Sequence, residues 1–291
     1  MLRATYQQWA EAKAPRLGAA LAFYAVISLA PLLVLLLAVA GLVFGADAAA
    51  GRIVQETRGI VGQPVAEVVQ EMVRQASQPW SGVLATVISL GVLLFGASGV
   101  FDSLQDALNT IWRVAPKPDR WLLALIRDRF FAILFVLATG LLLIASVVLT
   151  SVLAALETYW AAEVPLPYWF WEGVNTGASF AVIAVLFALI YKYLPDAKVR
   201  WGDVWVGAAG TAVLFNVGKH LLALYLTYVG PSSSYGAAGS LVVMLLWVYY
   251  SAQVLLLGAA FTHVYAQRYG AGVRPGANAM LLGPTRWKEE G

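Results

Sequence analysis

The sequence predicts an all-α membrane protein, in which six transmembrane helices form one bundle. An amphipathic outer helix lies between the first two spans, and both termini are cytoplasmic. Hydrophobic residues occupy 60% of the 291 positions and charged residues only 12%, whereas about a quarter of a soluble domain is charged. Apolar runs of transmembrane length recur along the chain, and basic residues are concentrated in alternate connecting segments. These observations together exclude an ordinary soluble fold.

Six apolar runs are long enough to cross a bilayer, which takes about 20 helical residues. They cover residues 18–45, 82–101, 129–156, 169–194, 203–229 and 238–266 and form a single membrane domain over residues 1–268. Several runs exceed the hydrocarbon core of about 30 Å at roughly 1.5 Å per residue, so we expect tilted or protruding helices. Residues 269–291 are rich in glycine, proline and charge, which predicts a loosely ordered cytoplasmic tail.

Lysine and arginine predict the orientation, because short basic loops stay in the cytoplasm. Fifteen of these residues lie in the amino-terminal segment, the 102–129 loop, the 192–202 loop and the stretch from Arg268 to the carboxy terminus, whereas the alternate loops hold three. This asymmetry and the even number of spans place both termini inside. The first apolar run is far longer than the apolar region of a signal peptide, which indicates an uncleaved first span.

The first outer loop, residues 46–81, is too long for a simple turn, and its apolar residues recur at helical spacing. These residues are Val61, Val65, Val68, Val69, Met72 and Val73. The spacing predicts an amphipathic helix, which either packs against the spans, lies on the membrane surface or caps a central cavity. After the second span, the pattern of FDSLQDALNTIWRV predicts a helix that continues into the cytoplasmic interface and is ended by Pro116 and Pro118.

The fifth span carries the leading candidates for a binding site. Asn216, Lys219 and His220 are spaced i, i+3 and i+4, which places them on one helical face. A lysine at mid-span costs about 2.5–3.5 kcal/mol to insert, so Lys219 is expected to face the bundle interior or a wet cavity. Its long stem could instead reach the interface, as a structural residue. For His220, a packing role is favoured over ligand binding.

The fifth and sixth spans are joined by a short loop and are expected to be antiparallel neighbours. Gln253 in the sixth span lies at a depth similar to that of Asn216, which favours a side-chain amide pair between the helices over substrate contact. The hydroxyl group of Tyr249, one turn from Gln253, adds another polar group to the sixth span. Gly207 and Gly210 in the fifth span indicate close helix approach.

Glu172 and Asn175 begin a row of polar residues along one face of the fourth span. Glu172 could receive a cationic group or pair with Lys219, but its depth favours a solvated position at the membrane boundary. Asn175 is the better placed of the two to meet Lys219.

Proline and glycine indicate hinge or gate positions. Pro31 in FYAVISLAP removes a backbone hydrogen bond and predicts a kink near Tyr24 and Ser28, which is either a hinge or a fixed feature of shape. Gly236 and Gly239 belong to GPSSSYGAAG, whose composition indicates an irregular or re-entrant turn that could close the outer side of a pathway.

Several function classes find no support in the sequence. The chain has no cysteine and two histidines, which leaves little for a metal site, and no cofactor is expected. The acidic residues are scattered and no GxxxxGK[ST] loop occurs, so neither a metal-dependent nuclease nor an ATP-driven pump is expected. A net charge of +3 is too weak to suggest a nucleic-acid partner. We therefore expect a protein that is not an enzyme.

Four segments in order resemble the YihY/virulence factor BrkB family of bacterial membrane proteins. They are AALAFYAVISLAPLL, GASGVFDSLQDALNTIWRV, YKYLPDAKVRWGDVWVGA and YGAAGSLVVMLLWVYYSAQVLLLGAAFTHVY, and together they span nearly the whole chain. The resemblance implies a six-span protein of the bacterial inner membrane, for which envelope lipid transport and serum resistance have been proposed. The older family name, ribonuclease BN, is not carried over because the sequence shows no nuclease constellation.

These observations predict a transporter or flippase that moves an envelope lipid or another amphiphile through an inter-helix cavity. Lys219 would attract an anionic head group, and Asn216, Asn175 and Gln253 would offer hydrogen bonds. An ion or small-solute channel is the first alternative, and it would be expected to place a ring of like polar residues at an oligomer axis. The second is a scaffold or assembly factor that binds a partner or anionic lipid through its basic loops. Membrane lipids are the expected partners, and homo-oligomerisation is left open.

Overall fold

The computed structural model describes residues 1–28, 51, 54–55, 63–76, 99–117, 152, 168–229, 239–276 and 279–282. Within these residues the chain is mainly helical. The helices are α1 (Leu2–Glu11), α2 (described over Ala14–Ser28), α3 (Gln63–Ala76), α4 (99–112), α5 (Tyr168–Tyr193), α6 (Trp201–Val229) and α7 (Gly239–Arg268). The strands are β1 (Val114–Pro116), β2 (Ala197–Lys198), β3 (Arg274–Pro275) and β4 (Ala279–Leu281).

The chain forms two compact units, which consist of three and two separate segments. The first unit consists of Met1–Gln8, Leu108–Leu214 and Leu257–Gly291. The second unit consists of Trp9–Ala107 and Phe215–Leu256. Helices α6 and α7 therefore each contribute one part to the first unit and one part to the second.

Helices α5, α6 and α7 begin and end within two residues of the fourth, fifth and sixth predicted spans. Two described segments, Phe170–Tyr193 and Leu241–Arg268, are long and apolar enough to cross a membrane by length and composition. The apolar sequence of α6 is interrupted by the polar residues from Asn216 to His220. Most of the first and second predicted spans, and all of the third except residue 152, lie outside the described residues.

Helix α3 is the amphipathic helix predicted between the first two spans, and in the second unit it packs against other helices. Val69 and Val73 are buried and form a core cluster with residues of α7, and parts of α2 and α6 pack against it. These partners include Val243, Met244, Val26 and Leu222. On the exposed side, Glu71 binds Arg74 at 2.8 Å, and this hydrogen bond raises the pKa of the Arg74 guanidinium. The apolar spacing of α3 is therefore explained by packing.

Helix α4 ends before the prolines that were expected to stop it. Arg113 adopts a left-handed conformation with φ of 56°, and its amide donates to the Thr110 carbonyl at 3.2 Å. Strand β1 begins at the next residue and pairs antiparallel with β4, while β2 pairs antiparallel with β3. Pro116 therefore ends a strand rather than the helix.

Strands β3 and β4 belong to the carboxy-terminal segment for which the sequence predicts loose order. Besides the strand pairing, the Leu282 amide donates to the Arg113 carbonyl at 2.9 Å, and the Gly276 amide donates to the Asp196 carbonyl at 2.8 Å. These bonds attach the described part of the segment to the loops that follow α4 and α5. Residues 283–291 lie outside the described part of the chain.

Candidate functional site

The candidate site lies on α6 in the second unit, where this helix has a buried and an exposed side. Phe215 and Gly218 are buried, Asn216 and Lys219 are half-buried, and His220 is exposed. Asn216 and Lys219, one turn apart, therefore border the buried side, whereas His220 lies on the exposed side. Burial thus separates His220 from the two residues with which the sequence grouped it.

Helix α7 presents a row of polar side-chain ends to this part of the molecule. The row consists of Trp247, Tyr250 and Gln253, three residues apart in sequence, and we call it the polar stripe. The Tyr250 hydroxyl lies against Gly218 of α6, so that a Cβ atom on this glycine would overlap it. The Trp247 ring meets the Phe215 ring edge-on, with 6.1 Å between the ring centroids. These contacts place Trp247 and Tyr250 beside the α6 turn that carries Lys219.

Gln253, for which the sequence favoured an amide pair with Asn216, contacts the beginning of α2. Its Nε2 donates to the Ala14 carbonyl oxygen at 3.3 Å. The same amide group lies directly against Gly18, where a Cβ atom would leave no room for it. Gln253 thus connects α7 to α2, and the absent side chain at position 18 makes this contact sterically possible.

Two atoms of the polar stripe have hydrogen-bonding capacity that the described residues do not use. Trp247 Nε1 and Gln253 Oε1 are buried, and neither has a hydrogen-bond partner within the described part of the chain. Buried polar groups are nearly always paired, and one left unpaired costs about 1–3 kcal/mol. Atoms of this kind are sites where a bound molecule or an ordered water completes the hydrogen bonding.

The remaining polar candidates belong to α5 in the first unit. Glu172 and Asn175 are both exposed there. The exposed position of Glu172 agrees with a boundary residue, the interpretation that its depth in the sequence favoured. Tyr191, further along α5, is fully buried and takes part in a contact described below.

Two of the hinge candidates, Ser28 and Tyr24, make contacts in the second unit. Ser28 is buried, and its hydroxyl donates to the Ala25 carbonyl of its own helix at 3.0 Å. The Tyr24 ring lies against Gly99, where a Cβ atom would overlap the ring. Gly239 is the first residue of α7, and Pro31 and Gly236 lie outside the described residues.

Close helix approach in the first unit depends on a reciprocal arrangement of glycine and threonine. Gly207 and Thr211 of α6 face Thr262 and Gly258 of α7, and each threonine hydroxyl lies against the glycine of the other helix. Each hydroxyl also donates to the carbonyl of the glycine four residues before it, at 2.7 Å in both cases. The Tyr191 hydroxyl lies 3.0 Å from Thr211 Oγ1. We call these five residues the Gly/Thr clasp.

The sequence predicted one member of this clasp. Gly207 permits the close approach that was expected of it, whereas Gly210 has open space around it, since the nearest atom to a Cβ would be Phe261 Cε1 at 4.0 Å. Gly258 and both threonines were not recognised, although the spacing Gly-x3-Thr occurs in both helices and is a signal that could have found them.

A second polar network in the first unit connects α1, α4 and the loop after α5. Gln8 donates to the Ile111 carbonyl at 2.7 Å and accepts from Arg113 at 2.9 Å. Asn109 donates to the Asp196 carboxylate at 3.1 Å and accepts from the Asp196 amide at 2.8 Å. Among the described residues, no group of three or more histidine and acidic side chains could hold a metal ion. The network thus connects two helices to the segments that follow α4 and α5.

Long apolar helices that contact each other through glycine and small polar residues define an α-helical membrane protein. The profile of the family described as Virulence factor BrkB matches residues 5–281. The chain belongs to this family, as the four segments in its sequence predicted.

Curated relatives carry the same general description. A UPF0761 membrane protein of Idiomarina loihiensis is 30% identical over 208 residues, which are 69% of this chain and 66% of that protein. A UPF0761 membrane protein of Verminephrobacter eiseniae is 31% identical over 254 residues, which are 84% of this chain and 57% of that protein. The chain thus spans between about half and two thirds of the length of such relatives. No solved structure matches it.

Proposed function

We propose that this protein moves an amphiphile with an anionic head group, such as an envelope lipid, along the contact between α6 and α7 in the second unit. In this proposal it spans the bacterial inner membrane six times, with both termini in the cytoplasm. The observation that carries the proposal is the polar stripe, in which Trp247 Nε1 and Gln253 Oε1 are buried without partners among the described residues. Both atoms belong to α7, the helix that contacts the turn of α6 carrying Lys219.

The buried side of α6 matches the head group of such a substrate, and the exposed side matches its acyl chains. Lys219 and Asn216 border the buried side, where an ammonium group and an amide can bind phosphate or carboxylate oxygens through charge-assisted and neutral hydrogen bonds. Apart from His220, the exposed side is apolar and includes Val217, Leu221 and Leu224. Acyl chains can stay against this apolar side while the head group follows the polar one.

Lipid movement in vesicles tests the proposal. Purified protein would be reconstituted with fluorescent phosphatidylglycerol, and exchange between leaflets would be followed by quenching from outside. In Lys219→Met we expect movement to slow about tenfold or more, because a hydrogen bond to a charged group contributes about 1.5–3 kcal/mol. Lys219→Arg should restore most of the movement. Val206→Ala, at an exposed position in the part of α6 that belongs to the first unit, is the control and should move lipid like the wild type.

The other outcomes separate the alternatives. Wild-type protein that moves no lipid but conducts ions would indicate a channel and would overturn the proposal. Equal lipid movement by wild type and Lys219→Met would exclude Lys219 from the pathway. Protein that moves neither lipid nor ions would favour a scaffold, and the proposal would be abandoned. Size-exclusion chromatography of each variant distinguishes loss of movement from loss of fold.

A further inference from the structure

Helix α1 has polar side chains on its buried side and large apolar side chains on its exposed side. Thr5 and Gln8 are buried, whereas Leu2 is 80% exposed and Tyr6 is 62% exposed. A helix packed on a protein in water has the opposite arrangement. The exposed apolar side chains of α1 therefore need an environment other than water.

The orientation of α1 is fixed by hydrogen bonds on its buried side. Gln8 is held at both ends of its amide, by the Ile111 carbonyl at 2.7 Å and by the Arg113 guanidinium at 2.9 Å. The helix therefore cannot turn Leu2 and Tyr6 inward without breaking both bonds. Because a side-chain amide determines the rotation of the helix, the exposure of Leu2 and Tyr6 is built into the fold.

The exposed surface of α1 is itself divided into two strips. Leu2 and Tyr6, four residues apart, lie one above the other, and Arg3 and Gln7 form a parallel strip beside them. Both residues of the second strip are exposed and polar. The helix thus has three sides, one against the protein, one apolar and one polar. A helix that lies in the plane of a membrane interface needs one apolar side and one polar side.

The amino-terminal segment carries net positive charge. Arg3, Lys13 and Arg16 are exposed, and Glu11 is the one acidic residue among the first sixteen. Lys13 has φ of 50°, so α1 and α2 are separate helices. Lysine and arginine near a bilayer surface attract anionic lipids. The charge and the apolar strip therefore point to the same partner.

We propose that α1 is an interfacial helix that lies in the head-group layer of the membrane. Leu2 and Tyr6 insert among the lipids, Gln7 faces water, and Arg3 binds the head groups of anionic lipids. This surface is separate from the contact between α6 and α7, and the inference does not depend on transport.

Single labels can measure the position of each strip, because the natural chain has no cysteine. Leu2→Cys, Tyr6→Cys and Gln7→Cys would each carry a nitroxide in full-length protein, reconstituted in phosphatidylcholine vesicles with and without phosphatidylglycerol. Collision with oxygen, which concentrates in lipid, and with a water-soluble nickel complex would be compared. We expect oxygen to dominate at positions 2 and 6 by several-fold and nickel to dominate at position 7. Position 7 is the matched control, because it lies on the same helix and is also exposed.

Phosphatidylglycerol should move the labels at positions 2 and 6 deeper, and the variant R3Q should abolish this shift. Equal access of nickel to positions 2, 6 and 7 would place the helix in water and overturn the inference. Exclusion of both reagents from positions 2 and 6, with spin–spin broadening, would mean that a second copy covers the strip and would also overturn it. A depth that is independent of phosphatidylglycerol would overturn the assignment of anionic lipid as the partner.

Discussion

Helices α6 and α7 contact each other through polar side chains in two places, and the two places use those side chains differently. In the Gly/Thr clasp, the hydroxyls of Tyr191, Thr211 and Thr262 all take part in hydrogen bonds. In the polar stripe, Trp247 Nε1 and Gln253 Oε1 have no partner within the part of the chain that the structure describes. The α6–α7 pair therefore has a satisfied polar contact in the clasp, whereas among the described residues α7 carries two unpaired buried atoms in the polar stripe, one of them on Gln253, which contacts α2.

This difference separates a structural contact from a functional one. A satisfied polar contact with glycine at the helix surface permits close packing and holds two membrane helices together. Unpaired buried atoms lower the stability of the folded protein, and proteins commonly keep such atoms where a function needs them. Substitutions in the clasp should therefore change stability, whereas substitutions in the polar stripe should change lipid movement.

The largest loss of stability is expected for Gly207→Ala. The new Cβ atom would overlap the Thr262 side chain, and the hydroxyl could not keep both its position and its bond to the Gly258 carbonyl. Overpacking of this kind costs about 1–3 kcal/mol in free energy of unfolding. Thermal unfolding in detergent micelles, followed by loss of helical signal, would measure the effect.

Gly210→Ala is the matched control for this prediction, because the substitution is the same and lies three residues further along α6. A Cβ atom at position 210 would find its nearest neighbour at 4.0 Å, which is ordinary contact. Alanine also favours a helix over glycine by about 1 kcal/mol, so this variant should be as stable as the wild type or more stable. Equal destabilisation by both substitutions would refute the clasp.

A smaller loss is expected for Tyr191→Phe. The change removes the hydrogen bond between the Tyr191 hydroxyl and Thr211 Oγ1 and leaves the ring in place. Hydrogen bonds between membrane helices contribute about 0.6 kcal/mol on average and up to about 1.7 kcal/mol. The coupling energy from a double-mutant cycle with Thr211→Val would measure this bond. Tyr193→Phe, at an exposed tyrosine, should leave stability unchanged.

A coupling energy of zero in that cycle would mean that the Tyr191 hydroxyl is not part of the clasp. The Gly/Thr contacts between α6 and α7 could still hold in that case, and the Gly207→Ala result would decide. The two predictions therefore test separate parts of the same structure.

The helices were predicted well where the determining information is local. Apolar runs locate α5, α6 and α7, because a long apolar segment by itself favours a long helix. The reciprocal position of Gly258 and Thr211 depends on the register between two helices, which no local pattern encodes. The sequence also did not predict that α4 ends at Arg113. Arginine rarely adopts positive φ, so the residue type gives no sign of the left-handed conformation that ends the helix.

The candidate site combines residues that the sequence selected with residues that it did not. Composition identified Lys219 and Asn216, because polar residues stand out in an apolar helix. Depth along a helix does not determine rotation about its axis, so the sequence selected Tyr249, whereas the Tyr250 hydroxyl is the one that lies against Gly218. The partner of Gln253 could not be predicted, because the Ala14 carbonyl lies 239 residues away in the chain.

The smallest change in stability is expected for Gln253→Met, and this variant tests the comparison most directly. It loses the bond to the Ala14 carbonyl but also removes the unpaired Oε1 atom. Because these effects oppose each other and are of similar size, the free energy of unfolding should stay within about 1 kcal/mol of the wild type. Lipid movement, measured in the same vesicles as for Lys219→Met, should fall because the substrate loses a hydrogen-bonding group.

Ser251→Ala is the control for this variant, because the Ser251 hydroxyl donates to the Trp247 carbonyl of its own helix at 2.9 Å and is not part of the polar stripe. It should change neither stability nor lipid movement by much. Gln253→Met could instead unfold as readily as Gly207→Ala while still moving lipid at the wild-type rate. The polar stripe would then be a second structural contact, and the distinction between the two parts of the α6–α7 pair would have to be given up.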